Sequence, residues 1–174
     1  MSEAKPTLYL LMGLPGSGKT TLGKHLQAIT KAVRLSSDDY RLLIFPEPSF
    51  SQQEHDNLYG LIDHNAEHLL GAGLSVIYDA NLNRRIHRNE KYELAKKYGA
   101  EVKLFWVQTA EELAKKRRVN EQDERLIPEG ETSEKMFDRI AIVFEEPGTD
   151  EEYTAIDGTK ITRDYVSSAL SSKN

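Results

Sequence analysis

One short segment of the sequence has the residue types needed to hold phosphate groups. Residues 13–20 read Gly-Leu-Pro-Gly-Ser-Gly-Lys-Thr, so glycines at the first and sixth positions precede Lys19 and Thr20. Glycine allows a tight turn that brings backbone N–H groups close to an anion, and the lysine adds a positive charge. The threonine hydroxyl is a ligand for Mg²⁺. The segment therefore predicts a site for the β- and γ-phosphates of a nucleoside triphosphate with its Mg²⁺.

The position of this segment agrees with that prediction. It lies between an apolar run at 7–12, typical of a strand, and a segment at 19–30 with apolar residues at helical spacing. The N-terminus of such a helix attracts anions through its dipole. The alternative is a flexible turn that happens to be rich in glycine, and it does not require this order of elements. The residues expected to bind the nucleotide are Gly13, Pro15, Gly16, Ser17, Gly18, Lys19, Thr20 and Thr21.

A second candidate site follows the apolar run at 32–35. Asp38 and Asp39 come next, and Arg41 lies one turn further along a predicted helix at 38–45. A carboxylate at the end of a parallel strand faces the ligand crevice, where it can accept the proton of an attacking hydroxyl and orient it toward the γ-phosphate. Asp38 is nearer the strand end, so it is our candidate general base and substrate contact, and Arg41 can hold an anionic part of the acceptor. The alternative is that both aspartates only cap the helix and pair with Arg41.

A third carboxylate, Asp79, ends the apolar run at 74–78. In that place it can hold Mg²⁺ directly or through water, and the alternative is an ordinary aspartate in a turn. Asn81 and Asn83 follow in the same loop. Both could bind substrate, and we take Asn81 as the candidate contact, although asparagines in a loop need no function.

The elements that must position these residues alternate along the chain. Strands are predicted at 7–12, 32–35, 74–78, 102–107 and 153–157. Helices are predicted at 19–30, 38–45, 51–70, 84–98, 110–120 and 132–144. Strands separated by helices are the pattern of a parallel sheet covered on both faces. We therefore predict a single α/β domain over residues 1–174, with a serine-rich tail at 167–174 that frays.

The composition limits the classes of protein to consider. The chain has 174 residues, no cysteine, and 23 Lys+Arg against 28 Asp+Glu, for a formal charge of −5. Disulfide frameworks, cysteine-based zinc sites and thiolate nucleophiles are excluded. The apolar run near the N-terminus is too short for a membrane span or a signal core, so we expect a cytoplasmic protein with no membrane partner. The acidic balance argues against a long duplex-binding face, but it leaves room for a local anion-binding crevice.

Several of these stretches resemble the small P-loop kinases of the polynucleotide-kinase and zeta-toxin-like group. They are the loop at 13–20, Ser-Asp-Asp-Tyr-Arg at 37–41, Asp-Ala-Asn-Leu-Asn at 79–83 and Glu-Leu-Ala-Lys-Lys-Arg at 112–117. The resemblance covers residues 7–147 and implies a three-layer α/β/α P-loop NTPase fold with a short helical lid at about 115–130. It also implies Asp38 as the general base, Arg41 as a contact to an acceptor phosphate and Asp79 as the acidic group behind Mg²⁺.

The lid departs from the family pattern. These kinases carry a pair of arginines, four residues apart, that clamp the transferring phosphoryl group. Here Lys-Lys-Arg-Arg at 115–118 supplies the first arginine, whereas the second position falls in an acidic stretch. Arg117, Arg118 and Arg125 are therefore the candidates, and the alternative is a solvated basic face of a helix.

These observations predict a kinase that uses ATP and Mg²⁺ and transfers the γ-phosphate to a hydroxyl group. The resemblance favours a 5′-hydroxyl end of a polynucleotide as the acceptor. A small-molecule acceptor (nucleoside, sugar or antibiotic) is the alternative within the same class, because small P-loop kinases change acceptors by loop variation. A nucleotide-binding ATPase without phosphotransfer is the alternative from another class. The oligomeric state is left open.

Overall fold

The computed structural model describes residues 5–121 and 123–171, and its centre is a parallel sheet of five strands. The strands lie in the order β2-β3-β1-β4-β5 across the sheet. Their bounds are β1 Thr7–Met12, β2 Val33–Ser36, β3 Val76–Asp79, β4 Glu101–Gln108 and β5 Tyr153–Asp157. All four neighbouring pairs are parallel. The predicted parallel α/β sheet is therefore confirmed.

Helices occupy both faces of this sheet. They are α1 Lys19–Thr30, α2 Ser37–Ile44, α3 Gln52–Gly71, α4 Arg85–Lys97, α5 Glu111–Glu121, α6 Ser133–Ile142 and α7 Arg163–Ser171, with a 3-10 turn at Glu124–Leu126. One core cluster joins β1 and β3 to apolar residues of α3 and α4, and the other joins the opposite face to α1 and α7. Every residue of β1 is buried because both of its faces are covered. This is the three-layer α/β/α sandwich that the sequence predicted.

The carboxyl ends of β1, β2 and β3 bring the candidate residues to one edge of the sheet. Ser36 at the end of β2 is paired in register with Asp79 at the end of β3. The loop after β1 leads into α1, and α2 begins immediately after β2 at Ser37. The three sequence segments singled out for their chemistry therefore meet at the same edge, as expected for an open parallel sheet.

The expected frayed tail is wrong for residues 167–171. These residues belong to α7, where Val166 is buried and Ala169 and Leu170 pack against the same core cluster as α1. Apolar residues at positions i, i+3 and i+4 give this helix a buried stripe in spite of its serines. Residues 172–174 of that tail, and Gln122 within the expected lid, lie outside the described residues. No helix in the ranges that the structure describes is long and apolar enough to cross a membrane.

Candidate functional site

The loop between β1 and α1 has the conformation that its glycines predict. Gly16 has a φ of 76°, a left-handed value that favours glycine, and its α-carbon faces the backbone of α5. A β-carbon there would overlap the carbonyl oxygen of Ala114 and lie 3.0 Å from the backbone nitrogen of Arg118. The first N–H groups of α1 have no partner within the helix and mark an anion site. The loop is therefore held between α1 and α5.

Two side chains hold this loop in place. The Lys19 ammonium donates to the carbonyl oxygens of Gly13 and Leu14 at 2.8 and 3.0 Å. The N–H of Gly13 donates to Oδ1 of Asn83 at 3.1 Å, and Asn83 is buried. Asn81, the predicted substrate contact, is exposed and accepts from the N–H of Asn83. Asn83, which on the sequence alone could also bind substrate, therefore fixes the start of the loop at residues 13–20 (the phosphate loop).

Several charges act on the Lys19 ammonium. Burial lowers the pKa of Lys19 to about 8, the negative charges of Asp79 and Asp38 oppose this shift, and the positive charge of Arg118 adds to it. Burial likewise lowers the pKa of Arg118, again against the charge of Asp38. Lys19, Asp38, Asp79 and Arg118 thus lie close enough to influence one another, as residues around one reacting phosphate must.

Asp38 lies in the first turn of α2 with its side chain exposed. The helix is capped by Ser36, whose hydroxyl accepts from the N–H of Asp39. Asp39 forms an ion pair with Arg34 at 2.8 Å. The alternative in which both aspartates cap α2 and pair with Arg41 is therefore wrong, and Asp38 remains available at the end of β2.

Arg34 is a residue that the sequence analysis missed. Its Nε and Nη2 both donate to Oδ2 of the buried Asp79, at 2.8 and 2.7 Å. Burial raises the pKa of Asp79, while the charges of Arg34 and Lys19 oppose the shift. An arginine in a strand of a buried parallel sheet requires an anionic partner, and that requirement is the sequence signal for this pair.

The candidate metal residues are compatible with Mg²⁺. Both hydrogen bonds that Arg34 donates to Asp79 go to Oδ2, so Oδ1 is left for a cation or its water. Thr20 is exposed in the first turn of α1 and supplies a hydroxyl. Oxygen ligands of this kind suit Mg²⁺, which keeps several of its waters. Within residues 5–121 and 123–171 there is no cluster of three His, Cys, Asp or Glu side chains for a metal ion.

Arg41, the predicted contact to an acceptor phosphate, is buried against α3. Its Nη1 pairs with Glu54, and the ring of Phe50 lies 4.6 Å from the guanidinium carbon. Glu54 also accepts from the N–H and the hydroxyl of Ser49. Burial would raise the pKa of Glu54, but these hydrogen bonds and Arg41 outweigh it and lower the pKa. Glu54 therefore binds one end of the Arg41 guanidinium group, at Nη1.

The three lid candidates occupy different environments. The Nε of Arg118 is buried without a hydrogen-bond partner among the described residues, and its Nη2 contacts the sulfur of Met136. Nη1 of Arg117 donates to the carbonyl of Gly158 at 3.0 Å. Arg125 is exposed and pairs with Asp123 at 2.7 Å. The positive charge of Arg118 also contributes to the lowered pKa of Lys19.

The sequence alone leaves open whether the arginines at the start of α4 face an acceptor or form a solvated helix surface. Arg88 does neither, because it is fully buried. Its Nε and Nη2 bind the two carboxylate oxygens of Glu151 at 2.8 and 2.9 Å, and its Nη1 donates to the carbonyls of Leu82 and Glu145. Arg88 therefore ties the segment after α6 to the loop that carries Asn83.

A cleft of about 540 Å³ opens beside the phosphate loop. Leu14 borders it on the loop side, Gln108 and Thr109 at the end of β4, and Asp157 and Thr159 at the end of β5. Its volume is typical of a small-ligand site, and its place at the carboxyl ends of parallel strands is where such folds bind ligands.

Solved structures share this fold over most of the chain. A candidate kinase from Chloroflexus aurantiacus J-10-fl has a TM-score of 0.76 and 16% identity, covering 96% of this chain and 97% of its own. A gluconokinase from Sinorhizobium meliloti 1021 has a TM-score of 0.67 and 16% identity, covering 95% and 90%. A chain of the Pnkp1/Rnl/Hen1 RNA repair complex has a TM-score of 0.66 and 22% identity over 87% of this chain, which spans 52% of that longer chain. These likenesses establish the fold.

The family is established by a different comparison. None of the curated proteins matches the chain at a significant level. The family model described as an AAA domain matches residues 8–147, which include the phosphate loop, Asp38, Asp79 and the lid arginines. The chain therefore belongs to this AAA-domain family of P-loop NTPases.

Proposed function

We propose that the protein is an ATP-dependent kinase that transfers the γ-phosphate to a hydroxyl acceptor. Residues 13–21 bind the triphosphate, and Asp38 accepts the proton of the attacking hydroxyl and orients it in line with the γ-phosphate. Thr20 and Asp79 would hold Mg²⁺, which would supply positive charge to offset the charge of the phosphates. Arg118 stabilises the charge that develops on the moving phosphoryl group.

The observation that carries this proposal is the environment of Arg118. A buried guanidinium nitrogen without a partner is unfavourable unless an anion satisfies it. The Nε of Arg118 is in that condition, and the same side chain is coupled to Asp38 and to Lys19. A γ-phosphate held by Lys19 would provide the missing acceptor, with Asp38 on the side from which a hydroxyl attacks.

A 5′-hydroxyl end of a polynucleotide is the acceptor that we favour. The spacing of Asp38 and Arg41 supports it, because an arginine one turn beyond the base can hold a phosphate next to the attacked hydroxyl. Glu54 engages Nη1 of Arg41, so the remaining guanidinium donors are directed to an anionic acceptor in this proposal. The fold shared with the RNA repair complex chain is consistent with the same acceptor.

One observation favours a small hydroxyl compound as a second candidate. Arg41 is already paired with a buried carboxylate and covered by Phe50, so part of its charge is neutralised before any substrate arrives. An uncharged acceptor such as a sugar or nucleoside does not need that charge. The shared fold with a gluconokinase agrees with this second candidate.

A transfer assay separates these candidates. Purified protein is incubated with γ-labelled ATP, Mg²⁺ and one acceptor at a time: a 5′-hydroxyl oligonucleotide, a nucleoside 3′-monophosphate, nucleosides, and sugars including gluconate. We expect label on the oligonucleotide and on the nucleoside 3′-monophosphate, and less on the nucleosides that lack the phosphate. Label on sugars or nucleosides alone supports the second candidate. If the label is released as free phosphate with every acceptor and is transferred to none of them, the result contradicts the kinase proposal.

Two variants test the proposed base. Asp38→Asn is expected to reduce transfer by about 10²–10⁴-fold while ATP still binds, because general-base catalysis contributes that much. Asp56→Asn is the control, because Asp56 is also an exposed aspartate but lies on α3. We expect this variant to transfer at the wild-type rate. An Asp38→Asn variant that transfers at the wild-type rate shows that Asp38 is not the base.

A further inference from the structure

Arg34 connects the end of one strand to the first turn of a neighbouring helix. Its Nε and Nη2 bind Oδ2 of the buried Asp79, and its Nη1 binds Oδ2 of Asp39 at 2.8 Å. Asp79 ends β3, whereas Asp39 follows the candidate base directly on α2. The planar guanidinium therefore fixes the distance between these two elements, which a point charge on a flexible chain would not do.

The chain makes room for this arginine inside α1. A β-carbon on Gly23 would lie 3.1 Å from Nε and 3.3 Å from Cδ of Arg34, and 3.2 Å from Cδ1 of Leu11, all closer than ordinary van der Waals contact. Glycine in a helix interior is unfavourable relative to alanine. Gly23 is buried in α1, the helix that begins at the phosphate loop. Its lack of a side chain allows Arg34 to approach the helix closely.

We propose that Arg34 is a positioning residue of the phosphotransfer site, which holds Asp38 in place by clamping α2 to the end of β3. The proposal rests on the proposed kinase function, because it assigns Arg34 a role through the candidate base. The clamp has a buried end at Asp79, with 6% of the side chain exposed, and an open end at Asp39, with 66% exposed. The buried end anchors the arginine and the open end fixes the helix.

The open end distinguishes positioning from simple stabilisation. An ion pair to a side chain as exposed as Asp39 adds little to folding stability. A displacement of about 1 Å in a catalytic group can nevertheless lower a rate about 10²-fold. Loss of the Asp39 contact should therefore change the rate much more than the stability, whereas a structural ion pair would change both together or neither.

The experiment uses four variants of the full chain. Asp39→Asn removes the open end, Arg34→Gln removes the whole clamp, Arg34→Lys keeps the charge without the fork, and Gly23→Ala pushes against Nε. Two controls change similar groups elsewhere: Glu67→Gln breaks the exposed pair with Lys97 between α3 and α4, and Gly60→Ala adds a β-carbon where nothing lies within 4 Å. Transfer to the acceptor found above, ATP affinity and thermal stability are measured for each.

We expect Asp39→Asn to lower kcat by at least tenfold, with ATP affinity within threefold of the wild type and an unchanged melting temperature. Arg34→Gln and Gly23→Ala lower kcat further than Asp39→Asn does. Relative to Arg34→Gln, Arg34→Lys restores more of the thermal stability than of the rate. Both controls keep the wild-type kcat. An Asp39→Asn variant with wild-type kcat overturns the proposal, as does a Gly23→Ala variant indistinguishable from Gly60→Ala.

A second measurement separates this proposal from the kinase function itself. Hydrogen exchange of the amides in α2 needs no acceptor, and we expect it to be at least threefold faster in Asp39→Asn and Arg34→Gln than in the wild type and Glu67→Gln. A wild-type protein that phosphorylates no acceptor refutes the proposed function. Equal exchange rates in α2 across the variants refute the clamp whatever the outcome of the transfer assay.

Discussion

Replacing Gly16 by alanine tests the contact between the phosphate loop and α5. Gly16 has a φ of 76°, and a β-carbon on it would lie 3.1 Å from the carbonyl carbon of Ala114 besides overlapping the carbonyl oxygen. Ordinary contacts between carbon atoms are about 3.5–4.0 Å. The overlap with the carbonyl oxygen is the closer contact, so the variant can form its native loop only if α5 moves back by about 1 Å.

The expected effects on stability and on rate differ in size. The left-handed conformation costs an alanine about 1–2 kcal/mol whatever surrounds it. Displacement of α5 adds a second effect, because this helix carries Arg118, whose backbone nitrogen would lie 3.0 Å from the new β-carbon. A shift approaching 1 Å in a group that stabilises the transferring phosphoryl lowers the rate by about 10²-fold. We therefore expect Gly16→Ala to lose rate out of proportion to its loss of stability.

Gly73→Ala is a matched control for this prediction. Gly73 has the same φ of 76°, but a β-carbon on it has nothing within 4 Å. Thermal unfolding, ATP titration and single-turnover transfer are measured for both variants. Gly16→Ala should lose more stability than Gly73→Ala, because the overlap with α5 adds to the cost of the left-handed conformation, and only Gly16→Ala should lose about 10²-fold in rate. A Gly16→Ala variant whose rate is within threefold of Gly73→Ala would refute the inference that α5 must stay against the loop.

Substitutions at three other residues give separate tests. Asn83→Ala leaves the buried N–H of Gly13 without its acceptor, so it should lower the free energy of unfolding in urea by about 1–3 kcal/mol and weaken ATP binding. Asn83→Asp should bind ATP better than Asn83→Ala. Arg118→Ala should lower single-turnover transfer about 10²–10³-fold with ATP affinity nearly unchanged, and wild-type transfer would contradict our assignment. Hydrogen bonds from Arg88, Tyr92 and Gly148 outweigh burial and lower the pKa of Glu151 to about 2 from an ordinary 4.5. The carboxylate therefore stabilises the fold fully above pH 4.5. Between pH 4.5 and 2 the free energy of unfolding should fall by about 2–3 kcal/mol. Urea titrations should not find this loss in Glu151→Gln.

The parts of the molecule that the sequence predicted depend on local patterns. The strands are apolar runs bounded by polar residues, and the phosphate loop is a contiguous motif whose spacing is set by the turn itself. The carboxyl ends of parallel strands share one edge, so Asp38 and Asp79 could be assigned to that edge before their separation in space was known. In these cases the information lies within a few consecutive residues.

The parts that the sequence did not predict depend on partners distant in the chain. Arg34 pairs with Asp79, which is 45 residues distant in the sequence. Arg88 pairs with Glu151, which is 63 residues distant. Spacing and composition do not identify these partners, because the first pair depends on which strands lie side by side and the second on how α4 packs against the segment after α6. The serine-rich C-terminal segment was misjudged for a related reason, since its helix is stabilised by packing against α1 rather than by its own propensity.

The arginines of this chain show why residue type alone could not assign function. Arg34 and Arg88 each have a carboxylate partner with a side chain no more than 6% exposed, so their charges are satisfied within the fold. The buried Nε of Arg118 has no such partner in the part of the chain that the structure describes. Because a buried charge must find an opposite one, Arg34 and Arg88 support the site, whereas Arg118 is suited to an anion that arrives from outside. The distinction follows from the partner of each guanidinium group, and it is the reason for placing Arg118 ahead of the other lid arginines at the transferring phosphate.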